Sequence, residues 1–149
     1  MMLSVVVLPH GEGLPLPRYE TPYSAGMDLR CAIPELSVLK LDPMERAPVP
    51  TGVCIAIPPQ YEGQVRPRSG LAFRQGLSIV NSPGTIDADY RGEIKVLLIN
   101  LGRAPIEITR GMRIAQLVIC PIMNVNLVEV DVLEDTLRGD GGFGSTGEK

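Results

Sequence analysis

Histidine is nearly absent from this chain: His10 is the only one in 149 residues, and no CxxC pair occurs. Structural and catalytic zinc centres draw on histidine and cysteine, so a His/Cys zinc centre is not expected. A protease-like triad lacks its base for the same reason, and no GxSxG surrounds Ser69. The cysteines Cys31, Cys54 and Cys120 are odd in number and widely spaced, each in an apolar run. They read as reduced core thiols in a cytosol-like, cytoplasmic compartment. Positive charge is scarce too. A net charge of -3, a pI near 5.2 and the lack of any run of like charge argue against a nucleic-acid partner. No apolar run is long enough to span a bilayer. Met1 to Leu8 lacks the basic leader of a signal peptide. A soluble protein with no membrane partner is expected.

What the chain has in abundance is punctuation. Fourteen prolines and sixteen glycines leave little room for helices. Between them recur β-branched or alternating runs: Ser4 to Leu8, Gly52 to Ile57, Leu77 to Val80, Ile94 to Leu101, Ile106 to Ile108, Ile114 to Cys120 and Val125 to Val130. Many short strands joined by turns indicate an all-β sandwich or barrel. One segment differs. Ser69 to Gly76 has a capping serine, helix-tolerant residues and a glycine stop, which predicts one helix of about two turns. The chain is long enough for one domain with a real core. We expect that domain over residues 1–137, followed by a flexible Gly-rich arm over 138–149.

Five places could carry chemistry. Asn81 to Glu93 reads as a hairpin between two strands, with Pro83 and Gly84 at its turn and Ile86, Asp87 and Tyr90 on its arm. A short loop on rigid strands can hold backbone amides and one side chain against a flat ligand. In Arg66 to Ala72, the helix start, Ser69 and Arg68 together suit an anion such as phosphate, although a capped helix with solvated arginines is the plainer alternative. Asp28 lies in an apolar setting, where an acid needs a partner or a hydrated metal. Gln116 is a polar residue in an apolar strand, bonding across strands or pointing into a site. In the tail, Gly139 to Gly144 matches GxGxxG, but no helix can follow in the five remaining residues, so a dinucleotide fold is excluded. A disordered end is the plain expectation there. Phe143, one of only two phenylalanines, and Arg138, Ser145 and Thr146 would also suit an arm that closes over a nucleotide.

Taken in order, these segments resemble the motifs of the trimeric dUTPases. Ala25 to Leu29, Arg68 to Ala72, Asn81 to Gly92, Gly111 to Gln116 and Arg138 to Gly147 match the family's five motifs, and the match spans nearly the whole chain. The resemblance implies a jelly-roll-like homotrimer that hydrolyses dUTP to dUMP and pyrophosphate with Mg²⁺, each site being shared between subunits. It also implies roles. Asp87 resembles the general base for in-line attack on the α-phosphorus. Tyr90 resembles the residue against deoxyribose, where a 2'-hydroxyl would clash. Asn81, Gly84, Thr85 and Ile86 resemble the uracil slot. Arg68, Ser69, Gly70 and Gln116 look like phosphate-chain contacts, and Asp28 like the acid that holds metal-bound water. Arg138, Phe143, Gly144, Ser145 and Thr146 match the closing arm. Met27 departs from the family, where an aromatic is frequent.

Two rival readings are weighed. A dCTP deaminase on the same fold carries a glutamate in the strand after the hairpin; by register from Gly92 that position is Leu97 here, and an aliphatic cannot shuttle a proton. A nucleotide-gated protein-binding module would keep the fold, and an intact Asp87 and arm argue only against loss of catalysis.

Overall fold

A computed structural model describes residues 2–142. Eleven strands and one helix follow the chain: β1 (Ser4–Val7), β2 (Met27–Arg30), β3 (Val38–Leu41), β4 (Arg46–Pro50), β5 (Val53–Ala56), β6 (Tyr61–Arg66), α1 (Ser69–Gln75), β7 (Leu77–Ile79), β8 (Gly84–Ile86), β9 (Lys95–Asn100), β10 (Ile106–Thr109) and β11 (Arg113–Pro121). A 3-10 turn at Pro9–Gly11 follows β1. The expected all-β class holds, as a sandwich of sheets rather than a closed barrel. One sheet runs β2-β11-β6-β8 and another β4-β9-β7, with the two-stranded pairs β1-β5 and β10-β3 completing the layers. Every pairing is antiparallel.

Alternation explains which residues face inward. Along β10, Ile106 and Ile108 are buried while Glu107 and Thr109 are exposed. Leu29, Val65 and Leu117 from the four-stranded sheet join Val49, Val96, Leu98, Leu77 and Ile79 from the three-stranded sheet in one hydrophobic cluster. Burial of such a side chain stabilises by roughly 1.5–3 kcal/mol. Thr51 and Asn100 are the buried polar exceptions among the described residues, and Asn100 is fully bonded. Its Nδ2 donates to Leu41 O and Ala104 O, each at 2.9 Å, and its Oδ1 accepts from Gly102 N at 2.8 Å. A buried amide satisfied on every side fixes the turn out of β9 without a desolvation penalty.

Several expectations are corrected. Val125 to Val130 forms no strand: it pairs with no strand among the described residues and is exposed along its whole length. Its alternation is real, but no strand of the described chain lies beside it to complete a ladder. The Asn81 to Glu93 segment is not a tight hairpin. β7 and β9 do pair, with Ile79 opposite Leu98, but the chain between them leaves that sheet and inserts β8 beside β6 in the other. Ser69 is not the helix cap. Arg68 caps with extended backbone, Ser69 is the first helical residue, and no side chain bonds the cap. The glycine stop stands: Gly76 is left-handed at φ 73°, with its N–H on Ala72 O. Only Cys31 is a fully buried thiol; Cys54 and Cys120 are half-buried, and all three are free.

Prolines explain why β4 is hard to see. Pro48 and Pro50 lie in it, and proline cannot donate to a ladder, which demotes such a run. β4 occupies the edge of its sheet, where one side needs no partner.

Candidate active site

β8 and the loop after it form one wall of a cavity of about 340 Å³. Asn81, Gly84, Thr85, Ile86, Asp87 and Tyr90, six of the residues anticipated from sequence, all line it. β6 is what places them: Val65 pairs with Gly84 and Gly63 with Ile86, so the segment is clamped to a central strand. Val65, Ile79 and Leu97 supply apolar lining, while Glu93 and Lys95 supply charge. An apolar slot with a few convergent polar groups is the usual character of a small-ligand site.

Within that cavity the chain turns sharply after β8, with Tyr90 N–H bonded to Asp87 O at 3.1 Å. The Asp87 side chain is exposed and makes no hydrogen bond or ion pair among the described residues. Tyr90 is held differently. Its hydroxyl donates to Glu93 O at 3.0 Å, and its ring lies so close to Gly92 that a Cβ there would run into the phenol. Gly92 is therefore glycine because Tyr90 must lie over it. The loop closes with Arg91, whose Nη1 donates to Ala88 O at 2.7 Å and to Tyr90 O at 2.8 Å.

A second, more polar cavity of about 460 Å³ gathers Asp28, Arg68, Ser69, Gly70 and Gln116. Asp28 lies opposite Gln116 in the β2–β11 ladder, and Gln116 lies opposite Arg66 in the β11–β6 ladder. Three arginines, Arg68, Arg74 and Arg113, line this cavity against two acids, Asp28 and Glu20. An excess of guanidinium suits phosphate. Asp28 is largely covered and bridges two of these cations: Arg68 Nε lies 3.1 Å from Oδ1 and Arg113 Nη1 lies 3.0 Å from Oδ2. Gln116 plays both of its anticipated parts, since Nε2 donates to Pro67 O at 2.9 Å while the side chain lines the cavity. Gly26 makes room for it; a Cβ there would meet Gln116 Oε1.

Arg113 and Glu93 are the residues that sequence reasoning passed over. Arg113 stands beside Gln116 at the start of an apolar strand, and Glu93 ends the loop that carries Tyr90. The two cavities share no lining residue. β8 and β2 are opposite edges of one four-stranded sheet, about 14 Å apart at ordinary strand spacing. Arg138 lies in neither cavity; its Nε donates to Gly141 O at 2.9 Å within an exposed C-terminal segment. Phe143, Gly144, Ser145 and Thr146 lie outside the described residues.

Comparison with known proteins decides the family. The dUTPase family model matches residues 12–147. The chain belongs to the dUTPase family. Among its relatives, the deoxyuridine 5'-triphosphate nucleotidohydrolase of Rhizobium rhizogenes is 59% identical over 145 residues, covering 97% of this chain and 93% of that protein. The enzyme of the same name from Methylocella silvestris is 57% identical over 147 residues, covering 99% and 92%. Among solved structures, the dUTPase of Staphylococcus bacteriophage 80alpha with dUpNHpp superposes with a TM-score of 0.86 at 29% identity, covering 98% of each chain. The dUTPase of phage phi11 of S. aureus, described with a structural Mg(II) ion, gives a TM-score of 0.79 at 27% identity, covering 91% of this chain and all of that one.

Proposed function

We propose that this chain hydrolyses dUTP to dUMP and pyrophosphate by in-line attack of water on the α-phosphorus. The observation that carries this is the meeting of Asp87, Tyr90 and the Asn81-to-Ile86 strand in one slot-like cavity. Asn81 and the β8 backbone read uracil, and Tyr90 lies against deoxyribose. Asp87, unpartnered and exposed, takes the proton from the attacking water. Arg68, Ser69, Gly70 and Gln116 bind the phosphate chain, and Arg113 joins them. Leu97 within the uracil-side cavity favours hydrolysis over deamination, since an aliphatic offers no proton at the base.

Mg²⁺ is proposed as the cofactor. No cluster of three His, Cys, Asp or Glu side chains occurs among the described residues. That donor set fits a hydrated ion carried on the phosphates, the form Mg²⁺ commonly takes, rather than a protein cage. Asp28 would meet it through water, because each carboxylate oxygen retains acceptor capacity beside its arginine. When bound, the ion neutralises the triphosphate and polarises the phosphoryl oxygens.

We further propose a homotrimer with shared sites. Two features support it. The uracil-side and phosphate-side cavities stand on opposite edges of one sheet, an arrangement that neighbouring subunits bringing complementary halves together would complete. The stretch after β11 also leaves Met123, Leu127, Val128 and Leu133 largely exposed, an apolar surface that association would cover. The proposed division is a β domain over 1–137 and an arm over 138–149 that carries Arg138, Phe143, Gly144, Ser145 and Thr146 across the nucleotide. In the cell the reaction would limit uracil in DNA and supply dUMP for thymidylate synthesis, in the cytoplasm. No helix among the described residues is long and apolar enough to cross a membrane.

Turnover in ¹⁸O-labelled water tests the chemistry. Attack at the α-phosphorus places the label in dUMP; label in pyrophosphate would contradict it.

A further inference from the structure

The only histidine of the chain sits under the loop that carries Tyr90. His10 Nε2 lies 2.6 Å from Glu93 Oε1, bringing the 3-10 turn against the far end of that loop. The same Glu93 oxygen accepts Gly52 N–H at 2.8 Å. The Glu93 carboxylate is largely covered, whereas His10 is more open to solvent. On its backbone side, Glu93 offers its carbonyl to the Tyr90 hydroxyl. One residue thus has its side chain tied to two neighbouring segments and its main chain tied to Tyr90. The next residue strengthens the anchorage: Thr51 Oγ1 donates to Ile94 O at 2.5 Å, and Ile94 N–H donates to Val53 O at 2.9 Å. Around His10 the other charged groups are Arg110, whose guanidinium donates to His10 O at 2.7 Å and to Glu12 O at 2.8 Å, and Glu12 itself.

We propose that Glu93 and His10 form a strut that sets how closely Tyr90 lies over the cavity, making both of them positioning residues for discrimination at the sugar. This rests on the reading of the cavity as the deoxynucleoside slot and of Tyr90 as its sugar-facing wall. The physical argument is leverage at short range. Exclusion of one hydroxyl oxygen depends on the wall's position to within a fraction of an ångström, and a hydrogen-bonded carboxylate at the root of a three-residue span holds it there. His10 braces the carboxylate from the 3-10 turn, so its loss leaves Glu93 Oε1 held by the Gly52 N–H.

The test is the dUMP-over-UMP binding ratio, measured by calorimetry on the full chain. It needs no turnover. Wild type should prefer dUMP. Glu93→Ala should lower the ratio by about three- to tenfold, the factor set by one net hydrogen bond, and Glu93→Gln should recover part of it through its remaining acceptor. His10→Gln should keep the melting temperature of wild type but lower the ratio, by less than Glu93→Ala does. A wild type that bound both nucleotides equally would overturn the reading of the slot, and the strut with it. A wild-type preference that survived unchanged in Glu93→Ala would overturn the strut alone. A His10→Gln ratio equal to that of wild type would remove His10 from it.

Discussion

Arg113 Nη1 lies 3.0 Å from Asp28 Oδ2, joining adjacent strands whose residues stand 85 positions apart in the chain. With Arg68 on the other carboxylate oxygen, the acid holds two guanidiniums in place beside the phosphate-side cavity. Two cations brought this close repel unless an anion lies between them. In this structure that anion is Asp28; in the proposed complex the phosphates would share the task.

Asp28→Ala should therefore lower unfolding stability by about 1–3 kcal/mol, the range for lost hydrogen bonds to a partly buried charge. It should also raise KM for dUTP, since the arginines lose their orientation. Denaturant unfolding and steady-state kinetics check both effects. An unchanged unfolding midpoint would mean that the ion pairs merely decorate the surface.

Asp87→Asn preserves shape but removes proton acceptance, and loss of a general base costs about 10²–10⁴-fold. Turnover should drop by that factor while nucleotide affinity changes little. Near wild-type kcat in this variant would assign the base elsewhere.

Truncation before Arg138 should leave the core and assembly untouched, because the last strand ends at Pro121, well before the cut. The melting temperature should hold and light scattering should still give three chains per particle, while kcat falls steeply. Full activity in the truncated chain would show that the tail is an unused end, and an active monomer would refute shared sites.

Burial pushes the Cys31 thiol up from its ordinary range, against smaller downward pulls from the Ile33 backbone hydrogen bond and the Arg110 charge. The folded state therefore resists thiolate formation. The contribution is fully present below the unfolded thiol pKa of about 8.5 and is lost as pH rises through the raised folded value. The stability advantage of wild type over Cys31→Ala should accordingly narrow between pH 7 and pH 10 in denaturant titrations. A constant gap would show that the thiol does not titrate differently on folding.

The site's two halves were legible to different degrees, for physical reasons. Asp87 and Tyr90 stand out because polar and aromatic residues interrupt two apolar runs, and a cavity-lining loop needs that interruption. The partner of β8 was hidden. Gly84 to Ile86 is too short to declare a strand, and its pairing with Gly63 to Val65 is non-local. Val125 to Val130 shows the converse: local alternation announces a strand that no described neighbour completes. Arg113 gives no local signal, since it stands opposite Arg30 where the β11–β2 register shifts and meets Asp28 only through its long side chain. Glu93 hides at the edge of a polar loop, where carboxylates are ordinary. Gly26 and Gly92 were visible as glycines, but the side chains they admit, Gln116 and Tyr90, became evident only in three dimensions.

Pyrophosphate release by the full-length chain with Mg²⁺, compared across dUTP, dCTP, dTTP and UTP, tests the central claim most directly. The uracil slot, the Tyr90 wall and the aliphatic Leu97 together predict turnover of dUTP, with the other three nucleotides slower by orders of magnitude. Equal release from all four, or release from dCTP with loss of ammonia, would contradict it.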